Sequence, residues 1–423
     1  MIQLPIWAAI LIALIMVALV LIVWSTKRRR RPRLDLDSET GGDGDLMQTI
    51  AGLTQSTVVG GNRIELIQNG QYFERLFADL EAAKKTINFE TFLCKEGEAT
   101  RRLAEIVCRK RADGVKVQMM MDGSGSKHFG KEDVKRMRAA GAEVHFYHPL
   151  RPSNLGRINN RDHRKIVIID GRLGYIGGHC FVDTWLGNAE DKKHFRDVTA
   201  RVEGPVVGQL QSVFAENWIE ETGDVPGGDE YFPQLEPCGE SEAHVAWVSP
   251  AGAPSTVKLL HYLAIRAATK SITLQNPYFL PDPDARKALL EAVKRGVKVR
   301  VMLPADTASD APVVQHASHH HFGTLLKAGV RIFEYQRTLL HQKVFTIDHR
   351  WSAVGSTNFD DRSFEVNDEV SMAIYDEKVA SELEAIFEKD LEHATEVHLE
   401  KWKKRPALHK MKDFLLFLFN EQM

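Results

Sequence analysis

The sequence predicts a duplicated α/β protein with two similar lobes and one N-terminal transmembrane helix, and three observations carry this prediction. Two halves of the chain repeat the same order of strand and helix patterns. Each half carries the same short polar motif at the same place. A run of 21 uncharged, mainly apolar residues precedes both halves. Strands that alternate with helices favour parallel β-α-β units, so each lobe is expected to be a helix-flanked mixed or parallel sheet.

The N-terminal apolar run, Leu4–Trp24, is long enough to cross a membrane. As a helix it would rise about 31 Å, against a hydrocarbon core of about 30 Å, and Trp7 and Trp24 lie near its ends, where indole rings favour the interface. A cleaved signal peptide is the alternative, but residues 1–3 lack the basic charge of such a leader. Six basic residues follow within residues 27–33. The positive-inside rule therefore places the rest of the chain in the cytoplasm, and the same cluster could hold anionic lipid headgroups.

Composition places the remainder of the chain among ordinary globular proteins. Of 423 residues, 43% are hydrophobic and 26% are charged, which excludes a disordered or collagen-like chain. From residue 34 onward the net charge is −8, which argues against a general nucleic-acid binder. The cysteines form no C-x-x-C pair, so neither a zinc site nor a disulfide is required, as suits a reducing compartment. They are Cys94, Cys108, Cys180 and Cys238.

The repeat sets the expected domain boundaries. A strand, helix and strand pattern at residues 86–119 recurs at 271–301, and a further strand pattern at 140–147 recurs at 328–335. We expect a transmembrane anchor (1–26), a basic collar with an acidic flexible tether (27–58), a first lobe (59–222), an inter-lobe linker (223–243), a second lobe (244–400) and a C-terminal tail (401–423). The tail is basic and then apolar but too short to span a membrane, so it either lies on the membrane surface or packs against the body.

The repeated motif is H-x-K-x4-D. It occurs as His163, Lys165 and Asp170 in the first half and as His341, Lys343 and Asp348 in the second, 178 residues later. Fourteen residues after each His comes a turn of small residues, Gly-Gly-His-Cys in the first half and Gly-Ser-Thr-Asn in the second. One copy would be a weak signal, but two copies with the same offset to a turn are a strong one.

The spacing of the motif has a chemical meaning. A His and a Lys two positions apart on a strand project from the same face. Two such strands brought together by the repeat would place two imidazoles and two ammonium groups around one pocket. One imidazole can attack phosphorus and the other can exchange a proton with the alkoxide. The lysines can neutralise the phosphate oxygens, so the sequence predicts phosphoryl-group transfer without a metal or another cofactor.

These residues resemble the paired H-x-K-x4-D signature of the phospholipase D superfamily, and the likeness covers roughly residues 60–400. Within that superfamily the amino-acid sequence of residues 340–370 is most similar to that of bacterial cardiolipin synthases. The resemblance implies two lobes that share one active site and a transfer through a phospho-histidine. It also implies that each His is oriented by a downstream carboxylate, by position Asp197 after His163 and Glu369 after His341. A surface salt bridge is the alternative role for either carboxylate.

The resemblance also assigns the remaining motif positions. It implies phosphate or substrate contacts from Gly178, Ser356 and Asn358, whereas Cys180 stands where the second half has Asn358 and departs from the pattern. Asp170 and Asp348, although part of the candidate catalytic motifs, are expected to brace the turn at the strand end instead of touching substrate.

The resemblance implies a function and leaves alternatives open. The expected enzyme is a cardiolipin synthase in the bacterial inner membrane that joins two phosphatidylglycerol molecules and releases glycerol. Its partners would be membrane phospholipids, with phosphatidylethanolamine as another acceptor. We expect His163 to be the nucleophile and His341 the acid and base, although the internal symmetry leaves the reverse open. A phospholipase D that uses water, a nuclease of the same superfamily and an inactive membrane scaffold are the competing functions.

One histidine run lies outside both motifs. His319, His320 and His321 look like a metal-binding tract. Adjacent residues on a helix point about 100° apart, so the three side chains cannot all bind one ion. We expect them to lie at the rim of a pocket or on the surface.

Overall fold

One continuous sheet runs through the body of the protein. The structure is a computed structural model that describes residues 5–25, 34, 43–149, 160–248 and 255–417. Within those ranges fifteen strands join in a single sheet. In chain order they are β1 (Val59–Gln68), β2 (Thr86–Thr91), β3 (Lys116–Asp122), β4 (Glu143–Tyr147), β5 (Lys165–Ile169), β6 (Leu173–Gly177), β7 (Val198–Glu203), β8 (Ser241–Val248), β9 (Ser271–Gln275), β10 (Lys298–Pro304), β11 (Arg331–Tyr335), β12 (Val344–Ile347), β13 (Trp351–Gly355), β14 (Glu369–Tyr375) and β15 (Ala394–Glu396).

The strand order repeats across the middle of the sheet. Starting from one edge it is β15-β11-β10-β9-β12-β13-β14-β8, and from the other edge it is β4-β3-β2-β5-β6-β7-β1. Strands β1 and β8 pair antiparallel where the two halves meet. The predicted duplicated α/β fold is therefore confirmed. Strands β2, β3 and β4 are parallel, as are β9, β10 and β11, and the other neighbouring strands of each half are antiparallel. The sheet is thus mixed, because a hairpin connects each motif strand to its successor.

Helices follow the strands along the chain, as the periodicity predicts. Asp282 and Asp376 show why helices begin where they do, because the Asp282 side chain accepts a hydrogen bond from the N–H of Ala285 and that of Asp376 accepts from the N–H groups of residues 378 and 379. In chain order the helices are α1 (Ile6–Ser25), α2 (Asp43–Leu53), α3 (Gln71–Ala82), α4 (Glu98–Ala112), α5 (Lys131–Ala139), α6 (Val207–Thr222), α7 (Thr256–Ala267), α8 (Pro283–Lys294), α9 (Pro312–Ala328), α10 (Asp361–Glu365), α11 (Glu377–Leu391), α12 (Leu399–Lys403) and α13 (Ala407–Phe417).

The two motif strands lie in the core. All five residues of β5 and all four residues of β12 are buried. Helix α6 contributes Phe214 and Trp218 to the apolar cluster beside them, and α11 contributes Leu383 and Ile386. Burial of this apolar surface fixes the start of each strand, where the His and Lys of the motif stand.

The N-terminal region differs in part from the prediction. Helix α1 covers residues 6–24 of the apolar run, and the large side chains described for it are half to four-fifths exposed. Among the residues that the structure describes, no helix has both the length and the apolar character needed to cross a membrane. The basic cluster 27–33 lies outside the described residues. The flexible tether expected for 27–58 is wrong at its end, because α2 forms there and Ile50 is buried in the core of the second half.

Asp170 and Asp348 end the two motif strands in the same way. Each has a left-handed backbone, with φ of 55° and 54°. The Asp170 carboxylate accepts hydrogen bonds from the backbone N–H groups of residues 84, 85 and 86, and Asp348 accepts from those of 269, 270 and 271. Each therefore ties its hairpin to the start of β2 or β9, as expected of bracing residues. An extended strand separates them from the motif His by about 23 Å, so their place among the catalytic candidates is not supported.

We expect Asp170→Ala to destabilise the protein by about 2 kcal/mol, because three backbone N–H groups, of which that of Thr86 is partly buried, lose their acceptor and alanine disfavours a positive φ. Asp170→Asn keeps one acceptor oxygen and tolerates the left-handed backbone, so it serves as the milder control. Chemical denaturation followed by circular dichroism would measure both. Equal stability of the alanine variant and the parent would contradict the bracing role.

Candidate active site

The two H-x-K motifs are held by backbone bonds that cross between the halves. The N–H of His163 donates to the carbonyl of Asp368 at 3.0 Å, and the N–H of His341 donates to the carbonyl of Arg196 at 2.8 Å. Isolated parallel bridges at Asp162 and Leu340 accompany these bonds. The segment directly before each motif strand is therefore paired, through its backbone, with a segment of the opposite half.

The carboxylates that orient the histidines are also exchanged between the halves. His163 Nδ1 lies 2.8 Å from Glu369 Oε1, and His341 Nδ1 lies 2.9 Å from Asp197 Oδ2. The expected pairing of each His with the carboxylate downstream in its own half is wrong. Both carboxylates are fully buried, so the alternative of a surface salt bridge is excluded. A carboxylate at Nδ1 fixes the tautomer and leaves Nε2 for chemistry.

Short polar contacts hold each carboxylate in place. Glu369 accepts from the hydroxyl of Ser356, and its other oxygen faces the amide of Asn367 at 3.4 Å. Asp197 accepts from the indole Nε1 of Trp185 at 2.8 Å. The Trp185 ring also meets the His341 ring edge to face at 5.0 Å.

The two lysines lie inside the same polar centre. Lys165 Nζ donates to the carbonyl of His163 at 2.7 Å, and Lys343 Nζ donates to that of His341 at 2.6 Å. Lys343 Nζ also lies 2.9 Å from His341 Nε2. All four side chains are at least nine-tenths buried, so cations and imidazoles share one enclosed site.

Burial and the lysines set the charge state of the histidines. Burial, followed by the charges on Lys165 and Lys343, holds the pKa of His163 well below its usual value. Burial and the charge on Lys343 lower the pKa of His341 to about 4, although Asp197 opposes them. Burial likewise lowers the pKa of Lys343 to about 7. Both imidazoles are therefore neutral at neutral pH, and each can act as a base or a nucleophile.

The two orienting carboxylates differ in charge. Burial raises the pKa of Glu369 to about 7, although the charge on Lys165 opposes the rise. Burial also tends to raise the pKa of Asp197, but the charge on His179 and the contact with His341 outweigh it and lower the pKa below its usual range. The His341 pair therefore holds a permanent anion, whereas the His163 pair is partly protonated. The histidines are equivalent by position but not by electrostatics.

The small-residue turns supply room and contacts for these carboxylates. A Cβ at Gly178 would lie 2.4 Å from Asp197 Oδ1, so only glycine fits beside that carboxylate. Ser356, at the corresponding position, is fully buried and its hydroxyl binds Glu369. The predicted phosphate contact from these two residues is therefore not supported, because both serve the orienting carboxylates. Asn358 is 95% buried and its Oδ1 has no hydrogen-bond partner within the described ranges.

The small-residue turn of the first half has His179 and Cys180 at the positions of Thr357 and Asn358 in the second half. His179 bonds the hydroxyl of Thr199 and the carbonyl of Asn69 and stacks on Tyr72 at 4.5 Å, so it is a packed core residue. Cys180 is buried, and burial raises the pKa of its thiol. The departure at Cys180 therefore places a neutral thiol where the second half has an amide.

Sequence reasoning missed residues that touch the site from elsewhere in the fold. Trp185, in a short 3-10 helix, contacts both Asp197 and His341. Phe92 meets the His163 ring at 4.9 Å, and the Lys165 ammonium lies 5.4 Å from the Phe92 ring centre. Neither aromatic belongs to a repeated motif. Phe92 lies in a segment, residues 90–92, that resembles bacterial cardiolipin synthases, and this resemblance was the one signal for it in the sequence.

A cluster of acidic side chains lies behind His163. Arg164 is fully buried, and its guanidinium faces Glu90 at 3.9 Å and Glu216 at 2.5 Å. Burial raises the pKa of Glu90 to about 7 and that of Asp162 well above the usual range, against the effect of Arg164. Both carboxylate oxygens of Asp368 lack a hydrogen-bond partner among the described residues, and burial raises its pKa as well. One guanidinium cannot balance these acids, so several of them hold protons.

In the corresponding cluster next to His341, the buried acidic and basic charges balance each other. Arg196 pairs with Asp390 at 2.9 Å, and Gln275 and Gln342 donate to the same carboxylate at 3.0 and 3.1 Å. Gln275 and Gln342 of the second half occupy the positions that correspond in the repeat to Glu90 and Arg164 of the first half. A single buried ion pair with satisfied oxygens needs no extra proton.

We expect Asp368→Asn to raise the unfolding temperature at pH 8 by about 2 °C and to flatten the dependence of stability on pH. An acid whose pKa is raised on folding stabilises the protein below its unfolded pKa, and that stabilisation is lost as pH rises through the folded pKa. The acids behind His163 should therefore make the parent less stable as pH rises from about 4 to about 7. Differential scanning calorimetry across that range would measure the effect.

Asp390→Asn is the matched control in the other half, because it removes the partner of buried Arg196. It should destabilise the protein by about 3 kcal/mol at pH 7. If Asp368→Asn destabilised the protein as much, the acids behind His163 would not be held in their neutral form.

The three histidines of the run on α9 have contacts with several other elements of the fold. His319 Nε2 lies 3.5 Å from Asp306 Oδ1, while His320 stacks on Phe417 at 4.2 Å and His321 contacts Arg286. His320 is exposed, whereas His319 and His321 are buried, so the expected surface position holds for His320 but not for the other two. Within the described residues, Asp306, His316 and His319 each offer one ligand atom, and these three atoms all lie within 4.8 Å of one another.

Comparison with known proteins identifies the relatives of this site. The family described as cardiolipin synthase, phospholipase D-like domain, matches residues 76–218 and 263–391. Cardiolipin synthase A of Pseudomonas fluorescens is 36% identical over 353 residues, which are 83% of this chain and 73% of that protein. Cardiolipin synthase 1 of Staphylococcus epidermidis is 34% identical over 380 residues, 89% of this chain and 76% of that protein.

Solved structures share the fold at low identity. Phosphatidylserine synthase of Haemophilus influenzae superposes with a TM-score of 0.67 at 12% identity and covers 89% of this chain and all of its own. Polyphosphate kinase of Porphyromonas gingivalis gives 0.54 at 15% identity, over 92% of this chain and 57% of its own. These likenesses show the fold alone. From its two matched segments and its relatives, this chain belongs to the cardiolipin synthase family of phospholipase D-like proteins.

Proposed function

We propose that the protein transfers a phosphatidyl group from one phosphatidylglycerol to another, releasing glycerol and forming cardiolipin. The observation that carries the proposal is the single buried centre that holds two His–carboxylate pairs and two lysines. Curated relatives named cardiolipin synthase over 80–89% of the chain support the choice of lipid. Nucleic acid is not an expected substrate, because the chain from residue 34 onward carries a net charge of −8.

In the first step His163 is the nucleophile. Its lowered pKa keeps Nε2 unprotonated, so the lone pair attacks phosphorus and forms an N–P bond. The bond from phosphorus to the glycerol oxygen breaks, and His341 gives its proton to that oxygen. A bound phosphodiester anion and the ionised Asp197 both favour the imidazolium form of His341 before this transfer.

In the second step the roles reverse around the phospho-histidine. Neutral His341 removes the proton from the headgroup hydroxyl of a second phosphatidylglycerol. That oxygen attacks phosphorus, and the N–P bond to His163 breaks. One P–O bond is thus exchanged for another, and the enzyme returns to its starting state.

Lys165 and Lys343 stabilise the transferred group. Their ammonium groups would face the non-bridging oxygens, on which negative charge increases in the transition state. Burial lowers the pKa of Lys343 to about 7, and a phosphate anion beside it would raise that pKa again. Asn358 is the turn residue left to contact the phosphate, because Gly178 and Ser356 serve the carboxylates.

We also propose that Leu4–Trp24 anchors the chain in the bacterial inner membrane with the catalytic body in the cytoplasm. The uncharged sequence and the basic cluster at 27–33 support this assignment. The exposed apolar side chains of the described part of α1 also support it.

Incubation of the purified full chain with phosphatidylglycerol vesicles tests the function. Lipid mass analysis should show cardiolipin and free glycerol, with or without chelator. Vesicles that also contain phosphatidylethanolamine would reveal whether that lipid serves as an acceptor. Phosphatidic acid as the main product would show instead that water is the acceptor, and cleavage of single-stranded DNA without lipid turnover would indicate a nuclease.

We expect His163→Ala and His341→Ala each to lower cardiolipin formation by about 10³-fold or more, because each removes a group that forms or breaks a bond. Rapid quenching with radiolabelled headgroup phosphate and peptide mapping should find the adduct on His163. An adduct on His341 would reverse the roles, and parental rates in either variant would overturn the mechanism.

A further inference from the structure

Helix α13 has the opposite orientation to that of an ordinary surface helix, because it buries a charged side chain and exposes apolar ones. Its fully buried residue is the charged Asp413, whereas Leu408, Met411, Phe414 and Leu415 are each about half exposed or more. A helix on the surface of a soluble protein normally packs its apolar stripe against the body and exposes its charges. An apolar stripe that faces outward marks a surface that another partner covers.

Specific contacts hold α13 in this orientation. Asp413 lies 3.0 Å from His316 Nδ1 on α9 and accepts from Arg405 at 2.8 Å. Phe417 stacks on His320 of the same helix at 4.2 Å. These contacts occupy the inward face of α13. Rotation of the helix to bury its apolar stripe would separate the Asp413 carboxylate from its basic partners.

Basic side chains flank the apolar stripe. Residues 401–412 contain six lysines and arginines and no acidic residue, although the chain from residue 34 onward is acidic as a whole. Lys410 lies on one side of the stripe and Lys412 on the other by helical position. An outward apolar face with basic borders matches the boundary between anionic headgroups and acyl chains, where each nearby basic residue contributes about 1 kcal/mol.

Helix α9 connects this surface to the active site. His316, which contacts α13, lies one turn after the start of α9 at Pro312. Asp310, two residues before the start of that helix, accepts from the hydroxyl of Tyr278 at 2.9 Å, and its charge stabilises the imidazolium form of His341. The contact of α9 with α13 at His316 is therefore six residues along the chain from Asp310, whose charge acts on His341.

We propose that α13 is an interfacial helix that lays the stripe of Leu408, Met411, Phe414 and Leu415 into an anionic phospholipid bilayer beside the active site. The inference deepens the proposed function and rests on it for the choice of a lipid bilayer as partner. Contact at this second point would hold the body at a fixed height above the membrane that supplies its substrate.

The test compares the full chain with a variant that carries Leu408→Ser, Met411→Ser and Leu415→Ser. In nanodiscs of phosphatidylcholine and phosphatidylserine, amide hydrogen exchange of residues 407–417 should be about tenfold faster in the variant. Turnover of phosphatidylglycerol in vesicles should fall about tenfold, while turnover of a short-chain, water-soluble phosphatidylglycerol should change less than about twofold.

The control variant Val225→Ser and Phe232→Ser removes exposed apolar side chains from the segment between the halves. It should match the parent in every assay. Equal exchange and equal vesicle turnover in the α13 variant and the parent would overturn the inference. Loss of turnover on the short-chain lipid as well would also overturn it, because the stripe would then serve the fold. A parent that is inactive on both lipids would instead refute the proposed function, and the exchange experiment would still decide the role of α13.

Discussion

The exchange of carboxylates between the halves is the constraint on which the rest of the site depends. Glu369 reaches His163 and Asp197 reaches His341 because β1 and β8 join two half-sheets into one. The backbone of each His is fixed by the residue that precedes the orienting carboxylate. The histidine position, its tautomer and the burial of the lysines therefore all follow from the seam between the halves. A shift at that seam would disturb both histidines together.

The structure also breaks the symmetry that the sequence implies. The carboxylate beside His341 is held ionised, while the one beside His163 is partly protonated. The buried clusters next to the two histidines differ in charge in the same way. The cluster next to His163 has more carboxyl groups than basic groups, whereas the one next to His341 has a single Arg196–Asp390 ion pair. Duplicated halves can thus supply a nucleophile and an acid from the same residue type, because the surrounding charges have diverged.

The sequence predicts what depends on local spacing. The duplicated fold and the two H-x-K motifs follow from alternation and repetition, and Asp170 and Asp348 follow from their place at the strand ends. The partners of the histidines could not be predicted, since the choice between Asp197 and Glu369 depends on which strands meet in the middle of the sheet. Trp185 and Asp368 were missed because their importance lies in burial and in long-range contacts. The roles of Ser356 and Gly178 were misjudged for the same reason.

The crossed arrangement has a consequence for how the active site is maintained. Because each half supplies the carboxylate for the other, neither half contains a complete His–carboxylate pair. Two separate halves would have to associate before either histidine was oriented, and their activity would fall with dilution. A covalent connection makes that association intramolecular, with an effective concentration in the millimolar range for short flexible linkers. The segment between the halves therefore makes the assembly of the site independent of how much protein the cell contains.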